Sequence, residues 1–251
     1  MATDSADETV TAAFLVIGDE ILSGRTKDKN IGFLADYLTA IGIDLREVRV
    51  VPDVEEPIVE AVNALRGAYT YVFTSGGIGP THDDITASSV AAAFGVGIDV
   101  DPRARAILEA HYPPGQLTAA RLRMARIPDG AELIENKVSK APGFRIENVH
   151  VMAGVPSIMQ AMMDAIAPTL KTGRKMLSRS VDADLPESRV ADSIAEIQAR
   201  FPDTLIGSYP RTNDGRFTTQ IVIRSRDEAV LSEAAAAVET AIQDALGAQA
   251  K

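Results

Sequence analysis

The apolar positions of this chain alternate between two rhythms. Val10-Thr-Ala-Ala-Phe-Leu-Val-Ile17 is apolar almost throughout, the pattern of a strand covered on both faces. Residues 29 to 41 then place Ile31, Leu34, Ala35, Leu38 and Ile41 at helical spacing, with Asp28 as cap and Gly42 as stop. Ile43 to Val51 reads as a second strand, and Pro57 stands near the first turn of a helix to about Arg66. Tyr69 to Thr74, rich in β-branched and aromatic residues, reads as a third strand. Ile85 to Phe94 reads as an Ala-rich helix stopped by Gly95. This alternation predicts a parallel sheet with right-handed crossovers.

Past Gly95 the rhythm is less regular. A helix is expected from Pro102 to about Ala110, a short one from Leu117 to Ala125, and a short strand from Ala131 to Ile134. Two strands, Phe144 to Ile146 and Val149 to Ala153, lead into a helix from Pro156 to about Leu170 with Met159, Met162, Met163 and Ile166 on or near its inner face. Residues 171–175 read as a linker. Beyond it the order changes to strand, helix, strand, strand, helix, with the Thr212-Asn-Asp-Gly215 stretch as a hairpin turn. The expectation is an α/β domain over residues 10–170 and a small α+β domain over 176–251.

Composition narrows the class. The chain has 251 residues, 46% hydrophobic and 24% charged, as in globular proteins. No apolar run approaches the ~20 residues of a membrane span, and residues 1–9 read as an acidic, disordered tail unlike a secretory signal. The absence of cysteine excludes disulfides, thiol nucleophiles and cysteine metal sites. A cytoplasmic location fits. The formal charge of −10 argues against general affinity for nucleic acid or anionic membrane.

The candidate chemistry gathers around Ser75-Gly-Gly-Ile-Gly-Pro-Thr-His-Asp-Asp84, a glycine-rich loop between a strand and a helix. Ligands bind at that place in open α/β sheets, and a glycine backbone at a helix N-terminus favours an anion such as phosphate. The motif is neither a P-loop nor a dinucleotide fingerprint. One aspartate would serve as a cap, so the Asp83-Asp84 pair has one carboxylate in surplus. Gly18-Asp19-Glu20 follows the first strand and is expected at the same sheet edge. Four carboxylates beside a phosphate loop call for a hard cation, and Mg²⁺ is the expected one. The Asn136 to Gly143 loop could offer Lys137, Lys140 and N–H groups to an anion, or be an ordinary turn. His82 could act as acid or base, or only orient the loop. Ser75 and Ser23 lack a nucleophile elbow and read at most as phosphate donors.

With these residues assembled, the chain resembles the MoaB/Mog-type molybdopterin-binding family, most closely the N-terminal part of competence/damage-inducible protein A (CinA). The matching stretches are Gly18-Asp-Glu-Ile-Leu22, Asn30, Thr74-Ser-Gly-Gly-Ile-Gly-Pro80, Asp83-Asp84 with Thr86, Ala141-Pro-Gly-Phe144 and Gly154-Val-Pro156. The resemblance implies a three-layer α/β/α fold with a mostly parallel sheet, followed by a small KH-like domain. It implies a phosphorylated small-molecule ligand, molybdopterin or a nucleotide, and a homo-oligomer. In the CinA branch it implies a Mg²⁺-dependent pyrophosphatase acting on ADP-ribose or similar nucleotide diphosphates; related domains of FAD synthases act on FAD. On that resemblance Asp83, Asp84 and Glu20 are catalytic candidates, and Asp19, Asp83 and Asp84 metal ligands. Ser75, Gly76, Gly77 and Gly79 would cradle phosphates. Asn30, Ala141, Pro142 and Gly143 would contact the rest of the ligand. Asp28, Ser139 and Ser157 depart from the family pattern around the ligand's distal half, which leaves substrate identity open; the resemblance does not decide between binding and hydrolysis. The tail carries no Gly-x-x-Gly loop, and its ten basic against twelve acidic residues give no support for RNA binding.

Overall fold

A computed structural model describes residues 9–213 and 216–247. The expected tail and the Asp214-Gly215 step of the hairpin turn lie outside these. The described residues form two compact units, which meet in sequence between Gly173 and Arg174.

The first unit runs β1 (Thr11–Ile17), α1 (Asp19–Leu22), α2 (Asn30–Ala40), β2 (Asp44–Val51), α3 (Glu55–Ala68), β3 (Tyr71–Ser75), α4 (Thr86–Phe94), β4 (Ile98–Val100), α5 (Pro102–His111), α6 (Ala119–Leu122), β5 (Arg126–Pro128), β6 (Glu132–Ile134), β7 (Gly143–Ile146), β8 (Val149–Met152) and α7 (Pro156–Ile166). Six strands form one sheet in the order β2-β1-β3-β8-β7-β6. The first four are mutually parallel, and the β6-β7-β8 part is antiparallel.

The run that opens the chain explains the layering. In β1, Ala13, Leu15 and Ile17 pack with Ile58, Val62 and Leu65 of α3 and Val90 of α4. Ala12, Phe14 and Val16 pack on the other face with Leu34 and Leu38 of α2 and with Met159, Met162 and Met163 of α7. A strand covered on both faces has no polar position to spare, so its sequence does not alternate. Phe14 and Leu15 are fully buried, and each such side chain contributes about 1.5–3 kcal/mol of transfer free energy.

The helix ends follow local chemistry. Asp101 accepts from the N–H groups of Arg103 and Ala104 and caps α5. Asp28 accepts the Ile31 N–H at 2.7 Å, so it caps α2 from two residues ahead of its first helical residue. Gly95, in the left-handed conformation, closes α4. Several elements differ from expectation. Residues 19–22 form a helical turn, and β4 pairs with β5 as a separate antiparallel ladder. The stretch expected as one short helix from Leu117 divides into α6 and a 3-10 turn at 123–125. The start of the expected linker is fixed to the first unit: Lys171 N donates to the Tyr71 hydroxyl and Gly173 N to the Gly42 carbonyl.

The second unit runs β9 (Leu177–Ala183), α8 (Ala191–Arg200), β10 (Thr204–Asn213), β11 (Arg216–Ser225) and α9 (Glu228–Gly247). Its antiparallel sheet has the order β10-β11-β9. It has its own core, in which Ile221 and Ile223 of β11 meet Ile194 and Ile197 of α8 and Ala234, Ala235 and Val238 of α9. Asp227 caps α9 by accepting from Ala229 and Val230.

Candidate functional site

The C-terminal ends of β2, β1, β3 and β8 share one edge of the first unit's sheet, because the four strands are parallel. Between β1 and β3 the chain leaves in opposite directions, to α2 on one face and to α4 on the other. Such a switch point opens a crevice. Here a cleft of about 550 Å³ lies over it. Gly76, Gly77 and Gly79 of the glycine loop line it, with Glu20, Asp84 and Gly154 among the others. Apolar surface from Ile78, Met124, Val155 and Ile158 contributes to it, and Asn136, Ser139 and Ala141 also line it.

Two glycines make the loop's path possible. Gly76 has φ +104°, and a Cβ there would stand 2.1 Å from the Ile17 carbonyl oxygen. Gly77 has φ +65°, and its Cβ would stand 2.1 Å from the Thr86 hydroxyl. The loop is tied to its neighbours: Gly76 N donates to Met152 O, the Thr86 hydroxyl to Gly76 O, and Thr86 N to Gly77 O. Ser75 is buried at the end of β3. It lines a smaller depression of about 60 Å³ with Asn30, Lys27 and Gly76, and that depression shares Glu20, Gly76 and Gly154 with the main cleft.

The four expected carboxylates come to the same edge but do different things. Glu20, in the turn of α1, and Asp84 line the cleft. Asp19 and Asp83, their sequence neighbours, are exposed and do not line it. Asp84 accepts both the N–H and the hydroxyl of Thr81, so its carboxylate holds the loop. Neither aspartate caps α4 with its side chain.

A fifth carboxylate was not singled out in the sequence. Asp53, just past β2, accepts the Asp19 N–H at 2.9 Å. Its carboxyl is pushed up, first by burial and then by the charges of Glu20, Asp19 and Asp83, against the pull of the Asp19 N–H. These four acids therefore share one field. Among the described residues no three His, Cys, Asp or Glu side chains converge as a closed metal cage. That fits Mg²⁺ only in its common mode, in which one or two carboxylates and the ligand's phosphates complete a partly hydrated shell.

Other expected residues are placed less centrally. Ala141 lines the cleft, and Pro142 lines an adjoining recess with Gly77, Gly79 and Asp84. Gly143 does not line the cleft: it pairs with Ile134 as the first residue of β7, where a Cβ would stand 2.3 Å from Val151 O. Its glycine is required by the sheet. The loop before it is wound around Asn136, whose side chain bonds the N–H groups of Val138 and Ser139, the Ser139 hydroxyl and Ala141 O. Lys137 lines a different cleft, and His82 is 95% exposed, so neither is brought to the site. Arg123, another residue the sequence left unmarked, clamps Pro80 O with two guanidinium N–H groups across 43 positions. No local pattern could have announced that contact.

Residues 13–172 match the family model described as a probable molybdopterin binding domain, and residues 175–249 match that of the FAD synthase middle domain. A protein of Aeropyrum pernix is 36% identical over 219 residues, covering 83% of this chain and 82% of its own. The protein named "Probable FAD synthase" of Caenorhabditis elegans is 32% identical over 262 residues, covering 94% of this chain and 50% of its own. The chain thus spans about half the length of that relative. Among solved structures, the CinA protein of unknown function from Thermoplasma acidophilum aligns with TM-score 0.61 at 34% identity, over 64% of this chain and 98% of that one. With its first unit matched almost end to end, the chain belongs to the molybdopterin-binding domain family, in an arrangement that sets an FAD synthase middle domain behind it.

Proposed function

We propose that the first unit binds a nucleotide diphosphate of the ADP-ribose type and hydrolyses its pyrophosphate bond with the help of Mg²⁺. The observation that carries this reading is Glu20 and Asp84 facing a cleft whose floor is a side-chain-free glycine backbone. The glycine loop and the start of α4 receive the phosphates, and the partly positive helix N-terminus favours them. The apolar side, with Met124 and Ile158, receives a planar ring. Glu20 orients a water and takes its proton as the oxygen adds to one phosphorus. The bridging P–O bond breaks, and AMP and ribose 5-phosphate leave. Asp84 keeps the loop closed through Thr81, and Asp53 fixes the turn that presents Glu20. Bound Mg²⁺ would supply charge neutralisation of the diphosphate, held by Asp19 and Asp83 beside the cleft. Resemblance to proteins named FAD synthase supports a nucleotide as ligand.

A second reading rests on two observations. Asp84 is engaged within its own loop, and no three acids converge among the described residues, which favours a module that binds molybdopterin or a nucleotide without cutting it. Incubating the protein with ADP-ribose and FAD, with and without Mg²⁺, separates the two. Metal-dependent release of AMP supports hydrolysis; tight binding of either without release supports the carrier. No helix among the described residues is long and apolar enough to cross a membrane. A homo-oligomer is part of the proposal, and light scattering at the monomer mass of 26.7 kDa would contradict it.

A further inference from the structure

Asn30 is the first residue of α2 and is only 4% exposed. Its Nδ2 donates to the Gly154 carbonyl at 2.8 Å. That bond fixes the orientation of the amide and leaves Oδ1 buried with no hydrogen-bond partner in the protein. Buried carbonyl oxygens are almost always paired, and an unpaired one is costly. Asn30 lines the depression of about 60 Å³ beside Ser75 and Gly76, which shares Glu20, Gly76 and Gly154 with the main cleft.

The position of this acceptor is set by the glycine loop. A Cβ on Gly154 would stand 3.2 Å from the Gly76 Cα, so the two backbones touch, and Asn30 is fastened to one of them. The acceptor therefore adjoins the backbone that receives phosphate in the proposed reaction. Ionised phosphate oxygens are themselves acceptors and cannot satisfy it. The depression has room for about two water-sized groups, which suits the hydroxyl-bearing edge of a sugar. In a nucleoside diphosphate the donors nearest the phosphates are ribose hydroxyls, whereas the N–H groups of the base lie far along the molecule.

We infer that Asn30 Oδ1 accepts a hydrogen bond from a ribose hydroxyl of the ligand, and that this atom makes the site select ribosyl over deoxyribosyl diphosphates. The inference rests on the nucleotide reading and adds the residue and the chemical group that decide specificity. A site built to bond a hydroxyl rejects analogues that lack it, because its own buried group is then left unpaired.

The test is calorimetric titration of the full chain with ADP-ribose and with analogues lacking the 2′ or 3′ hydroxyl of either ribose, with Ca²⁺ in place of Mg²⁺ to suppress turnover. At least one analogue is expected to bind about tenfold or more weakly than ADP-ribose. In Asn30→Ala, ADP-ribose and that analogue are expected to bind alike. Equal binding of every analogue to the wild type overturns the inference alone, as does discrimination that persists in Asn30→Ala. Failure of ADP-ribose to bind the wild type overturns the nucleotide reading and takes this inference with it. Equal binding of every analogue by the wild type overturns the inference even where loss of the Gly154 bond keeps the variant from folding.

Discussion

At the scale of single residues, backbone conformation and buried charge make the sharpest claims. Gly76 joins a positive φ to a close approach on Ile17 O. Gly76→Ala is expected to cost at least about 1–3 kcal/mol through strain alone, read as a lower midpoint of urea unfolding; an unchanged midpoint would mean that the loop has another path. His150 is buried against Phe73 and Tyr71. Burial, and then the Arg145 charge, pushes its imidazole down to about 4. The unfolded chain, titrating near 6.5, then binds more protons than the folded one between those values, so stability is full above pH 6.5 and falls as pH drops toward 4. The loss amounts to about 3 kcal/mol. His150→Phe is expected to flatten that part of the stability profile, and a profile of unchanged slope would contradict the assignment. The glycine loop and the four acids were legible in the sequence because each lies in a short contiguous run. Asp53 and Arg123 were not, since they act across 34 and 43 positions.

At the scale of elements, legibility followed length and neighbours. The β1, α2 and α7 segments announced themselves through long apolar patterns, and their inward faces fell where the periodicity placed them. By contrast β4 and β5 are three residues each and stand 25 residues apart, too short to leave a period. The turn of α1 is held from outside, by Asp53 on its first N–H and by Gly18 N on Val51 O, so its own four residues carry no helical signal. Asp28 is the reverse case: its cap was readable because the bond to Ile31 is local. Asp28→Ala is expected to cost about 1 kcal/mol, and, since Asp28 stands two residues before Asn30, to weaken ligand binding as well. Chemical denaturation and titration on the same variant check both; loss of neither would remove Asp28 from the account.

At the scale of the whole molecule, the chemistry-bearing residues belong to the first unit and the second has a core of its own. Ile221 is fully buried there. Ile221→Ala is expected to cost about 2–5 kcal/mol, with hydrogen-exchange protection lost across residues 177–247 and kept across 11–166. Protection lost in both would show the cores to be one cooperative unit. The order of the longer strands and helices in both units was readable because each packs its own apolar faces. What the sequence could not reach was the arrangement of the carboxylates. Four acids at one edge looked like a metal site, whereas in the structure one of them holds the loop and the others share a field with Asp53. The central claim is that this edge still performs hydrolysis, and the rate of AMP release from ADP-ribose by the wild type and by Glu20→Gln, with and without Mg²⁺, tests it most directly. The account predicts release by the wild type only with Mg²⁺, and a fall of about a hundredfold or more in kcat for Glu20→Gln with binding retained. ADP-ribose that binds the wild type yet yields no AMP with Mg²⁺ would contradict it.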